Sequence, residues 1–275
     1  MYKTAKKVFF PLLAFTMIVP YAAYSQIKAE TPTQTPEEKG FAIAAEIDRR
    51  DEGFQDTVAI LEMTLSNRQG AKSHRKLKIK TFEMTGVGVG DKSLVIFDSP
   101  RDVKGTAFLT HSKVLDPDDQ WIYLPALGRI KRISSSNKSG PFMGSEFSYE
   151  DMSSREVGKY SYKWLRNEPC GELMCYVIEA YPQYAKSGYT KLTSWIDMTE
   201  YRTWKTEFYN RRGDLFKTLK FSDYKLYLDK YWRPRDLFME NKITGKKTRL
   251  VWSRFDFQTN LSENDFSKSR LKTAK

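Results

Sequence analysis

The chain has 275 residues, of which 40% are hydrophobic and 29% charged, and its 46 lysines and arginines against 34 acids give a formal charge of +12. Such a surplus favours anionic surfaces (lipid headgroups, acidic partners or nucleic acid) or a solvated face on which basic residues outnumber acids. Beyond the first 25 residues no segment is apolar enough to span a bilayer, which excludes an integral helical membrane protein.

Lys3, Lys6 and Lys7 precede an apolar run from Val8 to Tyr24, and Ala23-Tyr24-Ser25 places small residues where a signal peptidase reads. Residues 1–25 read as a secretory signal cut after Ser25, with Ala29 as the alternative and a retained anchor disfavoured by Pro11 and Pro20. No cysteine stands near the cut, so a lipoprotein-type anchor is excluded. Cleavage removes three lysines and no acid, leaving about nine positive charges on an exported chain, for which nucleic acid is the least suitable partner. Residues 26–36 form a polar, proline-bearing leader, and 37–275 a single domain.

Thr35-Pro36-Glu37-Glu38 starts a helix: threonine caps, proline fits the first turn and the acids suit the positive end of the dipole. Phe41, Ile43, Ala44, Ala45 and Ile47 give it an apolar stripe, and Gly53 ends it. A lone amphipathic helix ahead of a β protein either plugs one face of the sheet or serves as a lid. From Asp56 the period changes to two. Ala59, Leu61, Met63 and Leu65 alternate with Ile60, Glu62 and Thr64; Leu77, Ile79 and Thr81 then alternate with Lys76, Lys78 and Lys80, one face apolar and the other cationic. Asn67-Arg68-Gln69-Gly70 is the hairpin turn between them.

Leu94–Phe97, Thr106–Thr110 and Gln120–Leu124 continue as antiparallel strands. Ile130-Lys131-Arg132-Ile133 and a Ser/Asn/Gly-rich loop follow, and the loop ends in Phe142-Met143-Gly144. A loop of exposed composition that ends in Phe-Met folds back onto a core or covers an apolar opening, and the second reading leads. A helical turn is expected near Tyr149–Ser153. The second half repeats the strand pattern over 159–166, 175–181, 190–196, 203–209, 215–228, 235–242 and 248–257, with a short helical finish at 261–266. About a dozen strands joined by short turns make an antiparallel sheet that must curl or close. Trp164, Tyr176, Tyr189, Trp195, Trp204, Phe208, Phe221 and other rings run through its second half. They fill the concave face as core or line a cavity, and one helix is too little material to cover so wide a sheet.

Cys170 and Cys175, the only cysteines, suit a disulfide across a tight hairpin in an oxidising compartment; a redox pair would want two-residue spacing and a helix N-terminus. His74 and His111 are too few and too scattered for a zinc site, no Gly-x-Ser-x-Gly elbow occurs, and Gly86-Val87-Gly88-Val89-Gly90 lacks dinucleotide spacing. Asp116-Pro117-Asp118-Asp119 reads as a turn rather than a calcium loop. Glu146, Glu150 and Asp151 could form a hydrolase pair or serve as ionic partners. No enzyme, metal or cofactor is expected.

Asp98-Ser99-Pro100, Val103-Lys104-Gly105-Thr106-Ala107, Gln120-Trp121-Ile122-Tyr123-Leu124-Pro125-Ala126 and Phe142-Met143-Gly144-Ser145-Glu146-Phe147-Ser148-Tyr149-Glu150-Asp151 resemble the LolA-like outer-membrane lipoprotein-sorting family, in particular a periplasmic branch found beside RND-type exporters. The resemblance runs from the first helix to Phe266. It implies a mainly β fold, an incomplete (half-open) antiparallel β-barrel wrapped over helices, with an apolar cavity for acyl chains and no catalysis. The expected function is a periplasmic carrier or chaperone for a lipid or lipidated protein, possible partners being an RND-type exporter and an anionic membrane surface. The alternative is a protein-binding accessory or sensor module of an envelope transporter, its interior filled by its own side chains. Phe97, Phe108, Trp121, Tyr123, Leu124, Phe142 and Met143 are the candidate cavity and lid residues, and Lys131 and Arg132 the candidates for headgroup or membrane contact.

Overall fold

The structure, a computed structural model, describes residues 34–86 and 88–274. The expected signal and the leader through residue 33 lie outside the described residues. Helix α1 spans Pro36–Asp51. Its start is fixed by a reciprocal capping box, in which the Glu38 amide donates to the Thr35 hydroxyl and the Thr35 amide to the Glu38 carboxylate. No helix among the described residues is long and apolar enough to cross a membrane.

The strands are β1 (Asp56–Ser66), β2 (Lys72–Phe82), β3 (Val89–Ser99), β4 (Ala107–Lys113), β5 (Asp119–Leu124), β6 (Arg129–Arg132), β7 (Tyr160–Cys170), β8 (Leu173–Pro182), β9 (Tyr189–Asp197), β10 (Thr203–Asn210), β11 (Leu215–Tyr227), β12 (Tyr231–Asn241) and β13 (Lys247–Phe257). They form one antiparallel sheet in the order β6-β5-β4-β3-β2-β1-β13-β12-β11-β10-β9-β8-β7. Every link joins sequence neighbours except β1–β13, which puts the first strand beside the last in the middle. β6 and β7 do not meet, so the barrel is half-open. β6 is the one strand the sequence does not mark: four residues, only Ile130 half-buried, show no alternation.

Alternation decides the faces. Leu61 stands opposite Leu77 on one side and Trp252 on the other, while Glu62 faces Lys76 on the reverse. The concave core gathers Leu61, Met63, Leu77, Val95, Phe97, Phe108, Leu219, Met239 and Leu250. A second cluster lies on the convex face of β3–β5, where Leu94, Ile96, Leu109 and Trp121 are covered by Phe266 and Leu271 of two C-terminal 3-10 turns. That double coverage explains why Leu94–Phe97 reads as an unbroken apolar run.

Helix α1 lies against β7–β9, burying Ile43 and Ala44 on Tyr162, Ile178, Ala180 and Ile196. It covers one face of the sheet at the β7 side. The approach is close enough that a Cβ on Gly40 would stand 2.7 Å from the Trp164 amide and 2.8 Å from the Lys163 backbone. At the far end of the β7–β8 hairpin Cys170 and Cys175 form a disulfide. Gly40→Ala should therefore lower stability by about 1–3 kcal/mol, read by urea unfolding, although alanine favours an exposed helix by roughly 1 kcal/mol.

Candidate functional site: a cavity under the strap

Between the concave sheet, α1 and the 134–153 segment lies a cavity of about 570 Å³. Its floor comes from the middle of the sheet: Leu61 and Met63 of β1, Leu77 and Ile79 of β2, Leu219 and Phe221 of β11, Leu237 and Met239 of β12, Leu250 and Trp252 of β13. Ile47 of α1 and Phe142, Phe147 and Met152 of the 134–153 strap also border it. The remaining wall is polar, with Asp91, Asp118, Lys138, Arg155, Lys159, Tyr184 and Lys186. A cleft of about 860 Å³ shares Asp91, Ser154 and Arg155 with it and is bordered by Asp48, Arg50, Glu156, Arg202 and Arg233.

The strap is held by its own sequence. Phe142 is fully buried, its ring 5.9 Å from Phe97 and 5.1 Å from Phe108. The Phe142 amide donates to the Phe147 carbonyl (2.7 Å), and Arg75 of β2 donates to the Met143 carbonyl (2.6 Å). Thus the loop both folds into the core and covers the hollow. Two adjacent acids then tie it to the sheet. Glu150 accepts from Tyr184 (2.6 Å), the Ser187 hydroxyl and the Gly188 amide (2.8 Å), fixing the β8–β9 loop. Asp151 accepts from the Ser148 amide (2.7 Å), Tyr189 (2.9 Å) and the buried Lys217 ammonium (2.7 Å). Lys217 also donates to the Glu146 carbonyl at 2.9 Å. Burial pushes the Asp151 carboxyl up, but the Lys217 charge and the hydrogen bonds from Lys217 and Ser148 outweigh it and hold the pKa below the ordinary value. Glu146 accepts from Asn241 (2.7 Å), so the three acids act as ionic and hydrogen-bond partners of the fold.

At the polar wall, Lys159 pairs with Asp118, and Lys138 donates to the Asp118 carbonyl at 2.6 Å. Burial lowers the Lys138 pKa. Burial raises Asp91 to about 7; the Met84 amide opposes this and the charges of Glu156, Glu83 and Asp51 add to it. Residues 116–118 link β4 to β5, which Asp119 begins, and no cluster of metal-ligating side chains occurs among the described residues.

Of the seven residues expected at the cavity or lid, Phe142 borders the cavity. Phe97 and Phe108 are fully buried in the concave core and pack behind Phe142. Leu124 and Met143 are half-buried against that core. Trp121 and Tyr123 belong to the convex cluster, Trp121 edge-on to His111 at 5.1 Å. Lys131 and Arg132 are exposed on the edge strand β6, Arg132 paired with Asp119. Sequence reasoning missed Lys217, Tyr184 and the aliphatic floor of β11–β13. The signal for Lys217 was its phase: two residues before Leu219 and four before Phe221, it shares their inward face.

A curled, unclosed antiparallel sheet holding one helix and a strap defines a LolA-like half-barrel. A family model described only as an uncharacterized protein matches residues 90–273. A solved domain from Vibrio parahaemolyticus, provisionally described as an outer membrane lipoprotein-sorting protein domain, is 54% identical, with a TM-score of 0.84 over 86% of this chain and 99% of that one. A DUF1329 family protein from Desulfovibrio piger is 29% identical, with a TM-score of 0.82 over 86% and 99% of the two chains. A LolA superfamily protein from Nitrosomonas europaea shares the fold at 22% identity, with a TM-score of 0.66 over 83% and 97%. No curated protein matches the chain. The chain belongs to the LolA-like family of outer membrane lipoprotein-sorting domains.

Lys217→Met leaves Asp151 buried without its cation and should destabilise the fold by about 3 kcal/mol or more in urea unfolding; adding Asp151→Asn should recover part of that loss. Asp91 gives a pH signature. A carboxyl whose folded pKa is raised to about 7 favours the folded state while protonated, so its contribution is lost as pH rises from the unfolded value through 7. Asp91→Asn should match the wild type near pH 4 and exceed it at pH 8 by on the order of 2 kcal/mol, measured by urea unfolding at both values.

Proposed function

We propose that the protein is a periplasmic carrier that shelters the acyl chain of a lipid or lipidated protein in the half-open barrel. The observation that carries this reading is the cavity itself: an aliphatic and aromatic floor drawn from five strands, open towards a polar wall. Its 570 Å³ falls within the roughly 300–1,000 Å³ usual for ligand sites. Each methylene buried there contributes about 0.8 kcal/mol, so a long chain is held without any specific polar contact. Asp91, Lys138, Arg155 and Lys186 at the polar wall suit the headgroup end of such a molecule. The 54% identical Vibrio parahaemolyticus domain, with its lipoprotein-sorting description, supports the same class of cargo. An RND-type exporter as donor or acceptor of the cargo is an expectation from the sequence resemblance. On β6, Lys131 is exposed and remains the candidate for headgroup contact, while Arg132 engages Asp119.

Purified protein is expected to take up a fluorescent fatty acid and to release bound lipid in native mass spectrometry. Leu237→Glu, which sets a carboxylate on the floor, should weaken uptake by tenfold or more while leaving the circular dichroism spectrum unchanged. A lipid-free wild type that takes up no probe overturns the proposal.

A further inference from the structure

The convex face behind the cavity floor carries a second surface. β2 alternates strictly: Leu77 and Ile79 line the cavity, while Lys76, Lys78 and Lys80 point the opposite way. The register extends this row across the sheet. Lys78 stands beside Ile60 and then Arg254, and Lys76 beside Glu62 and then Val251; next along, His74 is followed by Thr64 and Arg249, with Lys220 two strands further across from Phe238. Some of these cations are spent within the sheet, Arg249 on Asp236, Arg254 on Asp256 and Lys247 on Glu240. Lys72, Lys76, Lys78, Lys80 and Lys220 have no ion pair among the described residues. Between them Ile60 is half-buried and Val251 is 40% exposed. The C-terminal turns that cover β3–β5 on this side meet β2 at its last residue, where Phe266 packs on Phe82 (5.7 Å between ring centroids).

We propose that this convex face, centred on β2, docks the protein on an anionic phospholipid surface. The argument is charge complementarity of a particular kind. The free cations are all lysines, flexible point charges about 7 Å apart along the strand, with none of the planar bidentate geometry that arginine offers a fixed protein carboxylate. Mobile lipid headgroups adapt to such an array, and the aliphatic stems and intervening Ile60 and Val251 suit the apolar side of the interface. Each lysine near an anionic leaflet strengthens partition by about fivefold. The docking does not depend on what the cavity holds, although the same strand serves both.

The test is vesicle sedimentation with the full exported chain. Binding is expected to vesicles with about 30% phosphatidylglycerol at low salt, at least tenfold weaker binding to pure phosphatidylcholine, and loss in about 0.5 M salt. The triple substitution Lys76→Glu, Lys78→Glu and Lys80→Glu should weaken binding at least thirtyfold. The corresponding triple glutamine variant, which removes the charge without reversing it, should weaken it to an intermediate degree, and it stands in for the glutamate variant should that one fail to fold. The cavity variant Leu237→Glu should leave binding unchanged, so failure of docking and failure of the carrier function are told apart. Equal binding to neutral and anionic vesicles, or a triple variant that binds like the wild type, overturns the proposal. So does a wild type that binds neither, which would leave an acidic protein as the partner of this face.

Discussion

The Asp151–Lys217 pair is the constraint on which the hollow depends. A lysine on the inward face of β11 has no water to solvate it, and the strap supplies the carboxylate it requires. Both ions are taken out of solvent, a cost that only mutual attraction and further hydrogen bonds offset. Those bonds are present. Asp151 receives the Ser148 amide and the Tyr189 hydroxyl, and Lys217 gives a second proton to the Glu146 carbonyl. The pair thereby fixes one position of the strap relative to the sheet, something an aliphatic contact of similar size would leave free to slide.

Around that point the division of labour is clear. Phe142 anchors one end of the strap among Phe97, Phe108 and Tyr149, and Glu150 anchors the other to the β8–β9 loop. Phe147, between the two anchors, and Met152, just beyond the second, border the cavity. The helix takes the opposite side, packed on β7–β9, and its Ile47 borders the cavity as well. The strap crosses the middle strands where Arg75, Asn241 and Thr248 hold it, and the aliphatic surface of β1, β2 and β11–β13 left between strap and helix is the cavity floor.

The strands and the helix were legible because burial on one face imposes a period that survives in the sequence. Lys76-Leu77-Lys78-Ile79-Lys80 leaves no doubt about which residues turn inward, and the Thr35–Glu38 box marks the helix start. The Leu94–Phe97 run was legible as strand but not as to face, since the C-terminal turns bury its outer side as thoroughly as the core buries its inner one. For that reason Trp121 and Tyr123 were expected at the cavity and sit on the convex side. The cavity was legible only as an excess of sheet over covering material. Its polar anchors were not, because Lys217 finds Asp151 across 66 positions of sequence and no local pattern encodes that distance.

The unclosed sheet has one more consequence. Any barrel that stays open keeps two borders whose unpaired amides and carbonyls could recruit a strand from another molecule. Here one border is only four residues long and three of them are basic, so a neighbour finds little backbone and a repelling charge. The other, β7, carries Pro169 near its end, and the helix presses so hard on Lys163 and Trp164 that only a glycine fits. Shape and composition at the rims thus let the vessel remain open without becoming the seed of a fibre.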